Sequence, residues 1–449
     1  MASASQDHQE KAAGNLLRQV NPRKEIKRFV RDVETPGSFA VGSSLLAPAA
    51  DLTVEGLGHI RLPLSNEDVG VLRGAAELAP FGHGAETKVD ENVRRAWQID
   101  GASIGLSKEF AETVGHRYAL RAAEKLGLRS KALGVEARLY KLVMYESGGH
   151  FRPHKDTEKE AGMFGTLVVQ LPTASGHEGG TLLVRHRGQQ KTGAGQREAG
   201  GAVASGSPPS LPVRCAAFYG DCEHELRPVT RGVRLCLLYN LVRTTPGPPP
   251  VAAVGQEGSA AQLRLSEAVA AWGRPDSQCG TSKFVLPLEH EYTKASLSFG
   301  GLKGRDRAVA DALRACREVD TYLAHVVKHE SGFAEGQDGF GRRGTSRGRR
   351  GGGGGGCGDC CDEYMSGAED QAMDYEADVE ITVTAKNWIG SDDKAVDLDL
   401  RIEIERELLF PPGADPYKRE YEGYTGNTCP SLDFWYHRSV LILWPASAT

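Results

Sequence analysis

The chain has 449 residues, 40% hydrophobic and 25% charged, with a formal net charge of -5. That length buries a full core in two or three domains, and the composition is that of an ordinary globular protein. The negative balance excludes a general nucleic-acid binder and leaves only local contacts of that kind.

The first 38 residues read as a flexible tail with a short basic helix. They lack the apolar core of a secretory signal, and no later run of about 20 apolar residues could span a bilayer, so cytoplasm or nucleus is expected, without a membrane partner. Residues 39–134 form a mixed lead-in, with strand-like pieces around Leu52 to Leu64 and helical stretches over Glu67 to Leu78 and Lys108 to Leu126. Their apolar periodicity suits packing against a core.

From Val135 the pattern changes. The runs ARLYKLVMY, GTLVVQL, GGTLLVRH, PVRCAAFYG and VRLCLLYNLV have the length and the β-branched or aromatic content of strands, and Gly, Pro or polar clusters divide them. Several short strands without long helices between them predict a β-sandwich or distorted barrel over 135–245. Within it, residues 188–209 read as a low-complexity insertion that buries too little apolar surface to order itself. Residues 246–258 read as a linker, and 259–449 as a smaller C-terminal α+β region interrupted by a disordered Gly/Arg/Cys insertion at 332–367.

Nine cysteines show no disulfide-scaffold spacing, which suits free thiols in a reducing compartment. Cys357, Cys360 and Cys361 form a C-x-x-C-C cluster without a second pair, so a four-coordinate zinc site would need Cys429 or a distant His. Exposed, flexible thiols are the expectation there. The adjoining Gly/Arg run at 342–356 resembles an RGG-type segment able to touch RNA, but it is short and an acidic stretch follows it.

The chemistry concentrates in Tyr145 to Asp156, YESGGHFRPHKD. His154 and Asp156 are two residues apart, so on an extended backbone both side chains leave the same face and can converge on one ion. A distant second His would complete a 2-His-1-carboxylate set, the ligand set of non-haem Fe(II) oxygenases, which leaves coordination positions open. His224 is the candidate, because a basic residue, Arg234, and an apolar strand follow it. His150, His177 and His186 are rivals without that context.

The ordered spacing of Tyr145, Gly148, Phe151, His154 and Asp156, then GTLVVQL, GGTLLVRH, His224 and Arg234, resembles the catalytic domain of prolyl 4-hydroxylase-like, Fe(II)- and 2-oxoglutarate-dependent dioxygenases. The resemblance implies an α+β fold whose core is a double-stranded β-helix (jelly-roll) with buttressing helices. It implies Fe(II) held by His154, Asp156 and His224, with 2-oxoglutarate and O2 as cosubstrates and ascorbate as reductant. The distal carboxylate of 2-oxoglutarate needs a buried cation with hydrogen-bond geometry, and Arg234 offers a bidentate fork, with Arg231 and Arg227 as fallbacks. Tyr145 and Thr166 are expected to add hydroxyls to the same cosubstrate. Gly148, Gly149, Gly179 and Gly180 are read as turn and close-approach positions. The implied activity is hydroxylation, with a protein or peptide, including a prolyl residue, as substrate, or else a small molecule. The alternative is an inactive barrel serving as a scaffold through its Gly/Arg-rich and acidic insertions.

Overall fold

The computed structural model of the chain describes residues 21–34, 37–83, 86–128, 134–193, 210–244, 260–274, 277, 281–333, 379–398, 418–422 and 431–446. They divide into two units, one comprising Met1–Ala324, Asn387–Leu398 and Ser439–Thr449, the other His325–Lys386 and Asp399–Arg438. The Cys357, Cys360 and Cys361 cluster, the Gly/Arg run at 342–356, the linker at 246–258 and most of both predicted insertions lie outside the described residues.

Among the described residues the first element of the first unit is helix α1 (Pro22–Asp32), started by the Asn21 side chain accepting from the Lys24 N–H and by proline at its first position. Strand β1 (Ala40–Pro48) and helix α2 (Asn66–Ala75) follow, the latter capped by Ser65. Next come the short strands β2 (Glu77–Leu78), β3 (Arg94–Arg95) and β4 (Trp97–Asp100). A continuous helical segment, α3, runs through Lys108–Phe110, Ala111–Tyr118 and Ala119–Lys125, with its middle part π-type. Phe110, Val114, Ala119 and Ala123 on α3 are fully buried and belong to the same apolar cluster as the strands.

Ten strands then follow: β5 (Val135–Tyr145), β6 (His150–His154), β7 (Met163–Leu171), β8 (His177–Gly179), β9 (Leu182–His186), β10 (Gln189–Thr192), β11 (Ser210–Tyr219), β12 (Glu223–Leu226), β13 (Val229–Gly232) and β14 (Arg234–Arg243). They form an antiparallel jelly-roll. One sheet runs β1-β11-β7-β14-β5-β4-β2, a second runs β10-β9-β12-β6-β3, and β8 pairs with β13. The larger sheet therefore takes β1, β2 and β4 from before residue 135, so the expected division at 134/135 does not separate the sheet from its lead-in.

Burial follows strand position. Central β7 is covered on both faces and reads as an almost unbroken apolar run, with Leu167 and Val169 at 0% exposure. Each such side chain contributes about 1.5–3 kcal/mol by leaving water. Strand β12 instead alternates: His224 and Leu226 point inward, while Glu223 and Glu225 pair with Arg185 on the other face, at 3.2 and 2.6 Å.

Residues 188–193, expected to begin a disordered insertion, are ordered. Strand β10 pairs with β9 from His186↔Gln189 to Leu183↔Thr192. Arg187 and Gly188 between them both have positive φ, 46° and 75°, the conformation of a two-residue hairpin turn. All four residues of β10 are exposed, so backbone pairing holds the strand and hydrophobic patterning could not reveal it.

After the barrel, the first unit adds helix α4 (Ala260–Trp272), strand β15 (Phe284–Pro287) and helix α5 (Gly304–Arg314). Three long strands follow, β16 (Val319–Phe333), β17 (Glu380–Ile389) and, after β18 (Lys418–Glu422), β19 (Ser431–Pro445). In the first unit β15 pairs with the end of β19, Phe284 opposite Leu443. In the second unit β18 pairs with the start of β19, and His329 bonds Asp433 at 2.8 Å while stacking on Trp435. Among the described residues, Cys215, Cys222, Cys236 and Cys316 are buried free thiols, and no helix is long and apolar enough to cross a membrane.

Candidate metal centre

Strand β6 delivers His154 at its end, and Asp156 follows just beyond, its N–H donating to the Gly220 carbonyl at 3.0 Å. On the neighbouring strand β12, His224 stands directly opposite His154. The two rings are 4.1 Å apart between centroids, and His224 Nε2 is 3.7 Å from Asp156 Oδ2. The ligand atoms of the three residues all lie within 4.8 Å of one another. Donors so spaced close on a first-row ion at about 2.0–2.2 Å with small side-chain adjustments.

Hydrogen bonds set the tautomers. His154 Nδ1 lies 2.8 Å from the Arg152 carbonyl and His224 Nδ1 lies 3.0 Å from the Cys222 carbonyl. A carbonyl only accepts, so each Nδ1 carries a proton, and in the neutral ring Nε2 is the nitrogen with the lone pair for a ligand. Burial, followed by the neighbouring His224, lowers the His154 pKa and keeps the ring neutral. Phe151 stacks on His154 at 3.5 Å, and Phe218 lies 4.6 Å from His224. Thr166, expected to offer its hydroxyl to the cosubstrate, instead donates it to Asp156 Oδ2 at 2.5 Å. Through this bond Thr166, on β7, orients the one anionic residue of the group.

The rival histidines lie elsewhere. His150 places its two ring nitrogens against the Gly148 and Asn92 carbonyls, at 3.0 and 3.2 Å. His177 Nε2 lies 3.0 Å from Gln170 Nε2, and His186 belongs to a different cluster.

Arg234 opens β14, is 3% exposed, and stands opposite Tyr145 of β5 with its guanidinium carbon 5.9 Å from the Tyr145 ring centre. Gly180, at φ 63°, lies beside it. A Cβ there would come within 3.2 Å of Arg234 Cδ and 3.5 Å of His177 Nδ1. Among the described residues, Arg234 Nε, His177 Nδ1 and Gln170 Oε1 are buried without a hydrogen-bond partner. Burial without a partner is costly, so these orphaned atoms suit a polar ligand next to the arginine. The fallback cations are surface groups: Arg231, 81% exposed, pairs with Glu178, and Arg227, 61% exposed, pairs with Glu225.

Tyr145 is buried, and its pKa is raised by that burial against the opposing effect of Arg94 and Arg234. Sequence reading missed Arg94. It is 9% exposed on β3, donates to the Pro80 carbonyl at 2.7 Å, and lies 4.6 Å from the Phe151 ring centre, behind the ring that stacks on His154. In the sequence it is one of two adjacent arginines, and only the pairing of β3 with β6, Phe151 opposite Arg94, turns one of them inward.

The matching segment coincides with the strands that carry this geometry. Residues 140–242 match the 2OG-Fe(II) oxygenase superfamily. Similar solved structures include a 2OG-Fe(II) oxygenase family oxidoreductase from Burkholderia pseudomallei, 15% identical over 51% of this chain and 93% of that one, with a TM-score of 0.26. A Pseudomonas putida prolyl-4-hydroxylase is 19% identical over 49% of this chain and 99% of that one, with a TM-score of 0.27. A Trichoplax adhaerens prolyl hydroxylase, solved with a hypoxia inducible factor oxygen degradation domain peptide fragment, is 14% identical over 49% and 91%, with a TM-score of 0.26. No curated protein matches the chain.

Proposed function

We propose that the chain is an Fe(II)- and 2-oxoglutarate-dependent hydroxylase, with His154, Asp156 and His224 as its iron ligands. The observation that carries this reading is the convergence of two histidine side chains and one carboxylate, each held by its own hydrogen bond. Two neutral donors and one anion suit ferrous iron and leave positions for a cosubstrate. Bound there with 2-oxoglutarate, Fe(II) would activate O2, the oxidant, so that one oxygen atom would enter a substrate C–H bond and the other succinate, 2-oxoglutarate supplying two electrons and leaving CO2.

The protein's own part is positional. Arg234 receives the distal carboxylate of 2-oxoglutarate, with Tyr145 opposite it and the orphaned His177 Nδ1 and Gln170 Oε1 alongside. Thr166 fixes the Asp156 carboxylate, and Phe151 and Phe218 hold the histidine rings and exclude water from their faces. The substrate is read as a protein or peptide side chain, a prolyl residue included, on the motif resemblance in Tyr145 to Asp156. Ascorbate is the reductant that keeps iron ferrous between turnovers.

The test is incubation of the full chain with Fe(II), 2-oxoglutarate, ascorbate and O2 against a peptide panel, scoring succinate together with an oxygen atom gained by a peptide. Succinate coupled to a modified peptide supports the reading. Succinate that rises only with small molecules would replace the peptide substrate, and no succinate under any condition would favour the scaffold.

A further inference from the structure

The turn Gly220–Cys222 between β11 and β12 holds both ends of the candidate metal centre. The Gly220 carbonyl accepts from the Asp156 N–H at 3.0 Å, and the Cys222 carbonyl accepts from His224 Nδ1 at 3.0 Å. The residue between them, Asp221, turns its side chain the other way, into a buried ionic cluster supplied by residues beyond the barrel. Its Oδ1 accepts from Lys303 Nζ at 2.7 Å, and its Oδ2 accepts from His290 Nδ1 at 2.9 Å and from the Glu291 N–H at 3.2 Å. All three side chains are under a tenth exposed, at 7% for Asp221, 8% for Lys303 and 4% for His290.

The far side of this cluster is itself fixed. Asp306, at the start of α5 and 4% exposed, accepts from the Glu289 and His290 N–H groups at 2.6 and 2.9 Å and from the Tyr292 hydroxyl at 2.9 Å. The same tyrosine oxygen accepts from the Lys303 N–H at 2.9 Å. Residues 289–303 thus present a set of donors held in place by a second buried carboxylate.

We propose that Asp221 is a positioning residue for the metal centre: the 289–303 segment anchors it, and the anchored turn sets the direction of His224 Nε2 and the place of Asp156. This rests on the reading of His154, Asp156 and His224 as ligands. It makes the segment after the barrel a working part of the site. A buried carboxylate with a cation and two further donors has one favoured position, because moving it breaks several charge-assisted bonds at once.

His186, Asp221 and His290 also lie within 4.8 Å of one another as ligand atoms, and His186 Nε2 is buried without a partner among the described residues while its ring stacks on His290 at 4.5 Å. A second metal ion is nevertheless the weaker reading. The Asp221 oxygens already take three donors, one of them cationic, and a divalent ion would add charge to a buried group that Lys303 has balanced.

The test is anaerobic titration of the full-length apoprotein with Co(II), followed through the ligand-field absorption of the bound ion. Wild type should bind one Co(II) in a manner lost in His224→Ala. Asp221→Asn should weaken that binding about tenfold or more and shift the bands of the saturated protein. Lys303→Met, which removes the charge and keeps the length, should do the same if Asp221→Asn fails to fold, and Lys303→Arg should restore much of the affinity. Leu72→Ala, a core substitution on α2, which carries no residue of the cluster, should lower the melting temperature with affinity and bands unchanged, separating positioning from general loosening. Wild-type affinity and spectrum in folded Asp221→Asn or Lys303→Met overturns the proposal. So does a second Co(II) lost in His290→Ala while the first stays intact, which would make the cluster a metal site. Wild type that binds no Co(II) removes the ligand reading itself and the proposal with it.

Discussion

Tyr145 and Arg234 face each other as register partners where β5 meets β14, both buried, with the guanidinium carbon 5.9 Å from the phenol ring centre. This pairing places a permanent cation against the end of the motif strand.

Arg234→Ala is therefore expected to raise the Michaelis constant for 2-oxoglutarate by roughly 30-fold or more, the equivalent of the 2–5 kcal/mol lost when one partner of a buried charge pair is truncated. Fe(II) affinity should stay within about twofold of wild type, because Arg234 is not among the three converging ligand residues. Initial rates against 2-oxoglutarate, alongside equilibrium dialysis of iron, separate the two effects. An unchanged Michaelis constant would remove Arg234 from the cosubstrate site.

Thr166→Val keeps the shape of the side chain and deletes the 2.5 Å hydrogen bond to Asp156 Oδ2. Loss of a partner that orients a ligating carboxylate costs on the order of 10-fold in metal affinity. Thr166→Ser, which retains the hydroxyl, should recover most of it. Equal iron affinity in the Val and Ser variants would show that the carboxylate is oriented by something else.

The grouping of His154, Asp156 and His224 was legible because the two residues of His-x-Asp share a face by strand periodicity alone, and because an apolar run and a basic residue follow His224. The strands were legible for the same reason: GTLVVQL is apolar throughout because β7 is covered on both faces. Three features were not. β10 is fully exposed and held by backbone pairing, which leaves no hydrophobic trace. Arg94 turns inward only through the pairing of β3 with β6. The partners of Asp221, His290 and Lys303, lie 69 and 82 positions away, a separation at which no local pattern survives.

His177 and His186 both have pKa values lowered to about 4, chiefly by burial of the ring. An unfolded histidine titrates near 6.5, so the unfolded chain takes up protons first as the solution is acidified. The contribution of these rings to stability is accordingly present above about pH 6.5 and is lost as pH falls from there towards 4. Chemical denaturation at several pH values should show this loss, and His186→Asn should shallow the slope by up to about one proton. A slope unchanged by the substitution would mean that His186 titrates normally in the folded chain.

The most direct measurement of the central claim is the iron stoichiometry of purified full-length protein under anaerobic dialysis, with wild type compared against His154→Ala, Asp156→Ala and His224→Ala. The three ligand atoms within 4.8 Å of one another predict one tightly bound Fe(II) in wild type and its loss in each variant, most completely in Asp156→Ala, which removes the anionic ligand. Iron bound equally well by wild type and all three variants would contradict the assignment.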